Sequence, residues 1–317
     1  MDNQWRPLAS KEILQQRAHL LRDVREFFHQ KAYLEVETPA LSRFANPDPY
    51  IDSFELSSFG QNYYLHTSPE FAMKRLLAAG MGSIYQICKV FRQGEQGRLH
   101  NPEFTMLEWY RVGFDYHQLM DEIDELLQAK CMLSSSKKLT YSSIFKEVTG
   151  FDMHQSTVSN MRQFVFDNGV SLQGDLGDDL DAWRDVVMTH FIEPGLGQDG
   201  PVFIYDYPVS QAALAQVRTG EEPAALRFEL YFKGIELANG YQEMTNQDEQ
   251  RRRFEAQQAR RQALGRSLLP FDRHLVDALG EDIPLVSGVA LGFDRLLMLL
   301  NGRQHLKDVL SFDSENA

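Results

Sequence analysis

Apolar residues recur at helical spacing from residue 11 to residue 31, which predicts an amphipathic helix with Ser10 as its N-cap. Its predicted inner face consists of Ile13, Leu14, Ala18, Leu21, Val24, Phe27 and Phe28. Residues 33–39 then alternate between apolar and polar side chains and end at Pro39. This alternation predicts a strand that the proline terminates.

A second pattern, over residues 90–110, predicts two strands joined by a loop. An apolar run leads into Arg92, a loop rich in Gly, Gln and Glu follows, and an apolar and aromatic run ends with Glu108 and Tyr110. Such a hairpin places a cation, backbone donors and carboxylates along one surface. A nucleoside triphosphate suits that mixture, since a guanidinium binds phosphate and polar groups bind the base.

The remaining elements are predicted from shorter patterns. Thr67 and Glu70 have capping-box spacing at a helix start, with Pro69 near the first helical position. The other predictions are strands at 62–66 and 202–209, a helix at 116–132, a hairpin at 226–244 turning at Lys233–Gly234, a charged helix at 247–264, and a glycine-bearing strand leading into a Leu-rich helix at 287–301. Residues 134–200 contain loops, at 134–136 and 174–179, and modest helices to which we assign no chemistry. Together the hairpins predict an α+β fold, an antiparallel sheet flanked by helices, rather than a doubly wound parallel sheet.

Composition narrows the class of protein. The chain has 317 residues and a net charge of −13, and its single basic run is Arg251–Arg253. This balance argues against broad nucleic-acid binding, although it allows a local basic patch. Neither of the glycine-rich phosphate loops G-x-x-x-x-G-K and G-x-G-x-x-G is present, so a bound nucleotide needs another geometry.

Cysteine content and hydropathy indicate a cytoplasmic protein. Cys88 and Cys131 are too few for a metal or redox motif, so we interpret them as buried, reduced thiols. Residues 1–5 lack the basic and apolar segments of a signal peptide. The apolar run at 296–300 is far too short to span a bilayer, so no membrane association is expected.

Two arginines are candidates for phosphate binding. Arg92 ends an apolar strand, where a charge is costly without an anion. Arg295 follows Gly292 at a strand-to-helix junction, where free N–H groups favour phosphate and a glycine allows close approach. Each arginine taken alone would be interpreted as a surface or ion-pair residue.

Glu236 and Glu243 are a candidate Mg²⁺ pair, because Asn239–Gly240 between them predicts a tight turn or bulge that would bring two hard oxygen ligands together. The alternative is a solvated strand edge.

Capping fully explains the Thr67–Glu70 segment, and His100 taken alone is interpreted as structural.

Together these segments resemble the catalytic core of class II aminoacyl-tRNA synthetases. The helix and strand ending at Pro39 are similar to the dimer-forming first motif, Phe91 to Glu108 to the second, and Gly288 to Leu297 to the third. Within the class, residues 100–108 and 236–240 are very similar to lysyl-tRNA synthetases. The resemblance covers nearly the whole chain.

Departures from lysyl-tRNA synthetases indicate a paralogous family. The first motif begins near residue 11, so we expect one catalytic domain over residues 1–317 without an N-terminal anticodon-binding OB domain. Ser68 and Ala290 replace the usual Ala and Gly, and Trp109 and Tyr110 follow Glu108. These features resemble the elongation factor P–(R)-β-lysine ligases. A methyl group at Ala290 would reshape the floor of the amino-acid pocket.

The resemblance implies ATP-dependent activation of (R)-β-lysine as an aminoacyl-adenylate and transfer to a lysine ε-amine of elongation factor P. It implies Mg²⁺, a homodimer and no tRNA binding. The implied ATP-binding residues are Arg92, Gln93, Gly94, Glu95, His100, Asn101, Glu236, Leu237, Gly292 and Arg295; the implied substrate-binding residues are Ser68, Pro69, Glu70, Tyr110 and Glu243.

Within that set, Arg92 and Arg295 are the catalytic residues, holding the α- and γ-phosphates, and Glu236 and Glu243 share Mg²⁺. Many relatives have Arg-Asn-Glu where this chain has Arg92-Gln93-Gly94. The adenine contact therefore falls either to Glu95 through a shifted loop or to backbone atoms.

Three other functions fit the same motifs. The chain could charge tRNA as a minimal lysyl-tRNA synthetase, but the missing anticodon domain and the acidic balance oppose this. It could be a non-catalytic regulatory paralogue, but the retained arginines and glutamates oppose that. An asparagine synthetase of the same fold fits the lysyl-like motifs less well.

Overall fold

The computed structural model describes residues 5–172, 174, 176–280 and 283–317. The described residues do not include residues 1–4, on which most of the signal-peptide prediction rests. They also do not include Asp175 of the loop predicted at 174–179. In the part of the chain that is described, no helix combines the length and apolar character needed to cross a lipid bilayer.

The helices flank the sheet and lie between its strands. They are α1 (Lys11–Gln30), α2 (Glu70–Ala78), α3 (Tyr116–Cys131), α4 (Tyr141–Thr149), α5 (Val158–Asp167), α6 (Leu180–Val187), α7 (Gln247–Ala263), α8 (Arg273–Ala278) and α9 (Phe293–Leu300). Short π and 3₁₀ turns follow at Met188–Ile192, Glu193–Gly195, Val209–Gln211 and Leu306–Val309.

The strands form two sheets. They are β1 (Leu34–Glu35), β2 (Leu41–Ser42), β3 (Glu55–Ser58), β4 (Gln61–Leu65), β5 (Ile84–Phe91), β6 (Glu103–Val112), β7 (Lys137–Thr140), β8 (Val202–Tyr207), β9 (Val217–Arg218), β10 (Ala224–Phe232), β11 (Ile235–Gln242) and β12 (Val286–Gly292). The larger sheet has the order β1-β5-β6-β12-β11-β10-β8-β7, with β9 beside β10, and β2, β4 and β3 form a small second sheet. Only the outer pairs β1–β5 and β7–β8 of the large sheet are parallel, so the predicted antiparallel α+β fold is confirmed.

Two hydrophobic cores hold the helices on the large sheet. One packs α1, α3 and α9 against its central strands, and the other packs α4 to α6 against β8 and β10. Arg17 of α1 ties the first core together, since it bonds Asp294 at 2.5 Å and Thr105 at 2.6 Å. Asp294 also accepts from the backbone of Thr105 at 2.7 Å. The buried carboxylate thereby fixes the start of α9 against β6.

Most predicted elements are present, some with different bounds. Ser10 caps α1 as predicted, and the hairpin of β10 and β11 turns at Lys233 and Gly234, both with positive φ. The first predicted strand shrinks to Leu34–Glu35, and the strand predicted at 202–209 ends at Tyr207. Cys88 is only partly buried, whereas Cys131 is buried, and both thiols are free.

The predicted capping box of Thr67 and Glu70 is wrong. Helix α2 begins at Glu70 with Pro69 as its N-cap, and no side chain caps it. Instead, the Ser68 hydroxyl accepts from the Glu70 backbone at 3.1 Å. The Thr67 carbonyl faces Arg92, so this segment turns toward the site rather than completing a cap.

The predicted turn or bulge at Asn239–Gly240 is also wrong, because both residues lie within β11 and pair regularly with β10 and β12. A glycine is needed there for packing: a Cβ at position 240 would overlap the ring of Phe228. Glu236 and Glu243 are therefore not joined across a turn, and a different feature of β11 brings them to one cavity.

Candidate active site

A cavity of ≈ 380 Å³ lies over the adjacent strands β6, β12 and β11. The pairing of β6 with β12 gives this cavity a direction: Met106 lies opposite Gly292, Glu108 opposite Ala290, and Tyr110 opposite Gly288. We call the end near Gly292 the cationic end and the end near Tyr110 the acidic end.

Arg295 lies at the cationic end, in the first turn of α9. Its guanidinium donates to the carbonyls of Leu99 at 3.3 Å and Glu236 at 3.0 Å, and it contacts His100 Nε2 at 2.8 Å. Gly292, the N-cap of α9, also lines the cavity. A held guanidinium next to a helix N-terminus is suited to a phosphate group.

Arg92 begins the loop between β5 and β6 and lines the same cavity. Its guanidinium lies 5.1 Å from the Phe104 ring centre, 3.4 Å from the Thr67 carbonyl and 3.6 Å from the Glu95 carboxylate. The side chain is only 26% exposed. Stacking on one face leaves the guanidinium edge available for an anion in the cavity.

His100 and Asn101 complete the loop. Burial, followed by repulsion from Arg295, lowers the pKa of His100, so the neutral ring can accept from the Arg295 guanidinium. The Asn101 side chain donates to the Glu103 carbonyl at 2.7 Å and accepts from the Ser314 backbone at 3.1 Å. Asn101 therefore ties the loop to the C-terminal segment while it lines the cavity.

A β-bulge at Leu237 brings Glu236 into the cavity. Leu230 pairs with Ala238 and the next residue, Tyr231, pairs with Glu236, so Leu237 is the extra residue. In an unbroken strand, residues seven apart point to opposite faces, but one extra residue restores them to the same face. Glu236 and Glu243 consequently both line the cavity.

The two glutamates have different neighbours. Glu236 faces the cationic end, with its carboxylate 3.8 Å from the Arg295 guanidinium, and its side chain is 42% exposed to the open cavity. Its depth within the molecule, and then repulsion from Glu229, raise the pKa of Glu236. Glu243 lies at the acidic end, and a carboxylate oxygen of it is 2.6 Å from the Lys74 ammonium.

Glu108 is the central group of the acidic end. It is buried and accepts hydrogen bonds of 2.6 Å from both the Ser68 and the Tyr110 hydroxyls. Burial, followed by repulsion from Glu70, raises the pKa of Glu108 to about 8. A carboxyl group held this way needs a cation to ionise at neutral pH.

Lys74 of α2 joins two further carboxylates at this end. Its ammonium lies 2.8 Å from Glu70, one turn earlier on the helix, and 2.6 Å from Glu243. Burial acts to lower the pKa of Lys74, but Glu243 and Glu70 outweigh it and raise that pKa. Burial raises the pKa of Glu243 to about 7, although Lys74 opposes the shift.

The wall formed by β10 carries a separate buried network. Glu229 accepts from Tyr207 at 2.7 Å, from Tyr231 at 2.5 Å and from Asn239 at 3.2 Å, and it pairs with Arg227. These partners compensate the Glu229 charge within the protein. The network therefore stiffens the wall, and its members Arg227, Glu229 and Asn239 also line the cavity.

The structure brings most of the predicted site residues together. Those lining the cavity are Ser68, Glu70, Arg92, Glu95, His100, Asn101, Tyr110, Glu236, Leu237, Glu243, Gly292 and Arg295. Among the described residues, Pro69, Gln93 and Gly94 lie outside its lining. Glu95 lines the cavity beside Arg92, and the adenine contact stays a prediction with both alternatives open.

The sequence interpretation assigned no role to several residues of the site. Lys74 could have been found from its spacing, four residues after Glu70 on a helix face that also carries Met73 and Leu77. Glu108 alternates with Met106 and Tyr110, which places it on the same strand face. The network around Glu229 had no such signal.

Gly288 makes room for the acidic end, because a Cβ there would overlap both the Glu243 carboxylate and the Tyr110 ring. We expect Gly288→Ala to lower the free energy of unfolding by about 1–3 kcal/mol. Thermal denaturation measures this effect. Gly280→Ala is the control, since a Cβ at that position meets no atom of the described residues within 4 Å. Equal behaviour of the two variants would contradict the packing argument.

Comparison with known proteins agrees with this geometry. The family described as tRNA synthetases class II (D, K and N) matches residues 3–316. The elongation factor P–(R)-β-lysine ligase of Vibrio cholerae is 46% identical over 98% of both chains. The protein of the same name from Pseudoalteromonas translucida is 44% identical over 99% of both chains. The one from Salmonella arizonae is also 44% identical, over 99% of this chain and 98% of the relative. The chain therefore belongs to the class II tRNA synthetase family and, within it, to the family of the elongation factor P–(R)-β-lysine ligases.

Proposed function

We propose that the protein is an ATP-dependent ligase that activates (R)-β-lysine and attaches it to a lysine side chain of elongation factor P. Relatives that are named for this activity align with the chain over nearly their whole length. The observation in the structure that supports it is the cavity with two chemically different ends, one cationic and one acidic, on a shared set of strands.

In the first step, a carboxylate oxygen of the amino acid attacks the α-phosphorus of ATP. The bond from that phosphorus to the bridging oxygen breaks, and pyrophosphate leaves. Arg92 would stabilise the charge that develops on the α-phosphate, and Arg295 would hold the γ-phosphate. Glu108, Tyr110 and Glu243 would bind the ammonium groups, so that the carboxylate of the amino acid points toward the cationic end.

In the second step, the uncharged ε-amine of the acceptor lysine attacks the acyl carbon of the adenylate. A C–N bond forms, the bond from the acyl carbon to the phosphate oxygen breaks, and AMP leaves. The amine loses a proton to solvent. No side chain of the protein needs to act as a nucleophile in either step.

Mg²⁺ fits the cationic end as an ion shared between Glu236 and the phosphates, which is a common way for proteins to hold it. Bound there, it would neutralise phosphate charge. No group of three or more His, Cys, Asp and Glu side chains among the described residues is placed to hold a metal. Glu243 would join the ligands only by leaving Lys74.

The decisive experiment supplies ATP and labelled (R)-β-lysine with purified elongation factor P or tRNA as the acceptor. We expect stable label on elongation factor P and none on tRNA. Label on tRNA alone would overturn the proposed acceptor, whereas the absence of pyrophosphate exchange with (R)-β-lysine would overturn the proposed substrate.

We also propose that the protein is a homodimer and that residues 1–317 act as one catalytic domain. The exposed Leu34 and Leu41, 50% and 46% exposed, follow α1 in the segment that resembles the dimer-forming motif. The large sheet contains both β1 near the N-terminus and β12 near the C-terminus, and this supports the single domain. Because the acceptor is a translation factor, we expect the enzyme to act in the cytoplasm.

A further inference from the structure

Lys74 is a buried charged residue next to the cavity, and the proposed reaction gives it no role. Its side chain is 4% exposed and does not line the cavity. Its ammonium group contacts Glu70 and Glu243, which both line the cavity. An ammonium group is costly to bury unless its surroundings compensate it.

The titratable groups around Lys74 come from three elements. Glu70 lies on its own helix, Glu108 and Tyr110 lie on β6, and Tyr241 and Glu243 lie on or directly after β11. On the other side of α2, Asp272 is 3.5 Å from Arg75 and is compensated there. When ionised, the three glutamates and the single lysine leave two negative charges uncompensated.

We propose that Lys74 is a positioning residue that holds the Glu70 and Glu243 carboxylates at the cavity, 2.8 Å and 2.6 Å from its ammonium group, and thereby sets the acidic end to accept two ammonium groups. The proposal rests on the proposed function, since (R)-β-lysine carries two ammonium groups. An amino acid with one ammonium group leaves a buried carboxylate without a partner, which opposes its binding. Without Lys74, three carboxylates share one buried site, and some of them take up protons instead.

The test compares Lys74→Met, which keeps the length of the side chain and removes its charge, with wild type and Lys74→Arg. In ATP–pyrophosphate exchange we expect Lys74→Met to raise the KM of the amino acid by roughly 100-fold. The KM of ATP should change by no more than about twofold, and Lys74→Arg should recover part of the loss. Lys138→Met is the matched control, because it removes an ion pair of 2.6 Å with the exposed Asp121.

A pH series separates this role from a merely structural one. The carboxylates of Lys74→Met must lose protons before they bind ammonium groups, so the rise of kcat/KM with pH should move to higher pH. Adding Glu70→Gln to Lys74→Met removes one of the repelling carboxylates and should shift the profile back toward wild type. An unchanged profile in Lys74→Met, or equal increases of both KM values, would overturn the proposal.

The melting temperature gives a readout that needs no substrate. Buried carboxyl groups with raised pKa values stabilise the fold at low pH and lose that contribution as the pH rises. Between pH 5 and 8, the stability of Lys74→Met should therefore fall more steeply than that of wild type. The stability of the double variant, Lys74→Met with Glu70→Gln, should fall less steeply than that of Lys74→Met. If the melting temperatures of wild type and Lys74→Met changed with pH in parallel, the proposed role of Lys74 would be contradicted. Failure of wild type to use (R)-β-lysine would instead count against the proposed function alone, since the melting curves still test Lys74.

Discussion

Arg295→Ala is expected to reduce ATP–pyrophosphate exchange by about 10³-fold while the protein stays folded. The guanidinium lines the cationic end and is held by the Leu99 and Glu236 carbonyls, so its position is fixed before ATP arrives. A preorganised cation of this kind contributes most when charge develops on the phosphates. The loss should therefore appear in kcat as well as in the KM of ATP.

Two variants sharpen this prediction. Arg295→Lys keeps the charge but not the planar fork, so it should retain only part of the activity. Arg303→Ala removes an exposed arginine shortly after α9 and should leave exchange unchanged. Circular dichroism and melting curves show whether each variant is folded, and near-normal exchange by folded Arg295→Ala would refute its assignment.

Local sequence patterns determine two units of the site, the hairpin of β5 and β6 and the strand–helix unit of β12 and α9. Both could therefore be predicted from the sequence. Apolar runs end at Arg92 and at Gly292, and the residues that follow carry the chemistry. Each unit is a contiguous segment, so its recognition required no long-range contact. Their adjacency in the sheet, with β12 next to β6, is a long-range contact that these local patterns do not contain.

Features that depend on packing could not be predicted in this way. Asn239–Gly240 has the composition of a turn, but Gly240 is required because the Phe228 ring packs against it. The bulge that turns Glu236 into the cavity depends on the register between β10 and β11. Neither the position of an aromatic ring on a neighbouring strand nor a pairing register is visible in a short sequence window.

The same reason explains the missed charges. Lys74 and Glu243 are far apart in the sequence, and only the approach of α2 to the end of β11 places them 2.6 Å apart. Burial then decides their properties, since it raises the pKa of Glu243 to about 7. The sequence gives the residue types, but the fold determines which of them share a low-dielectric environment.

Glu108→Gln is expected to raise the KM of the amino acid by about 10²-fold, with little effect on the KM of ATP. The glutamate lies opposite Ala290 at the acidic end and accepts hydrogen bonds of 2.6 Å from the Ser68 and Tyr110 hydroxyls. Glutamine has the same shape and can keep a hydrogen bond to each hydroxyl. The variant therefore removes the charge that attracts an ammonium group while it preserves the packing.

The pH dependence provides the critical check of this assignment. Burial raises the pKa of Glu108 to about 8, and only the ionised carboxylate attracts an ammonium group, so kcat/KM for the amino acid should rise as the pH approaches 8. The same raised pKa means that the contribution of Glu108 to stability is present at low pH and is lost as the pH rises from the ordinary carboxyl value of 4.5 toward 8. Glu108→Gln should reduce both the rise in kcat/KM and the loss of stability. If both curves kept their wild-type shapes, another group would control the acidic end, and Glu243, whose pKa is about 7, would be the next to test by the same substitution.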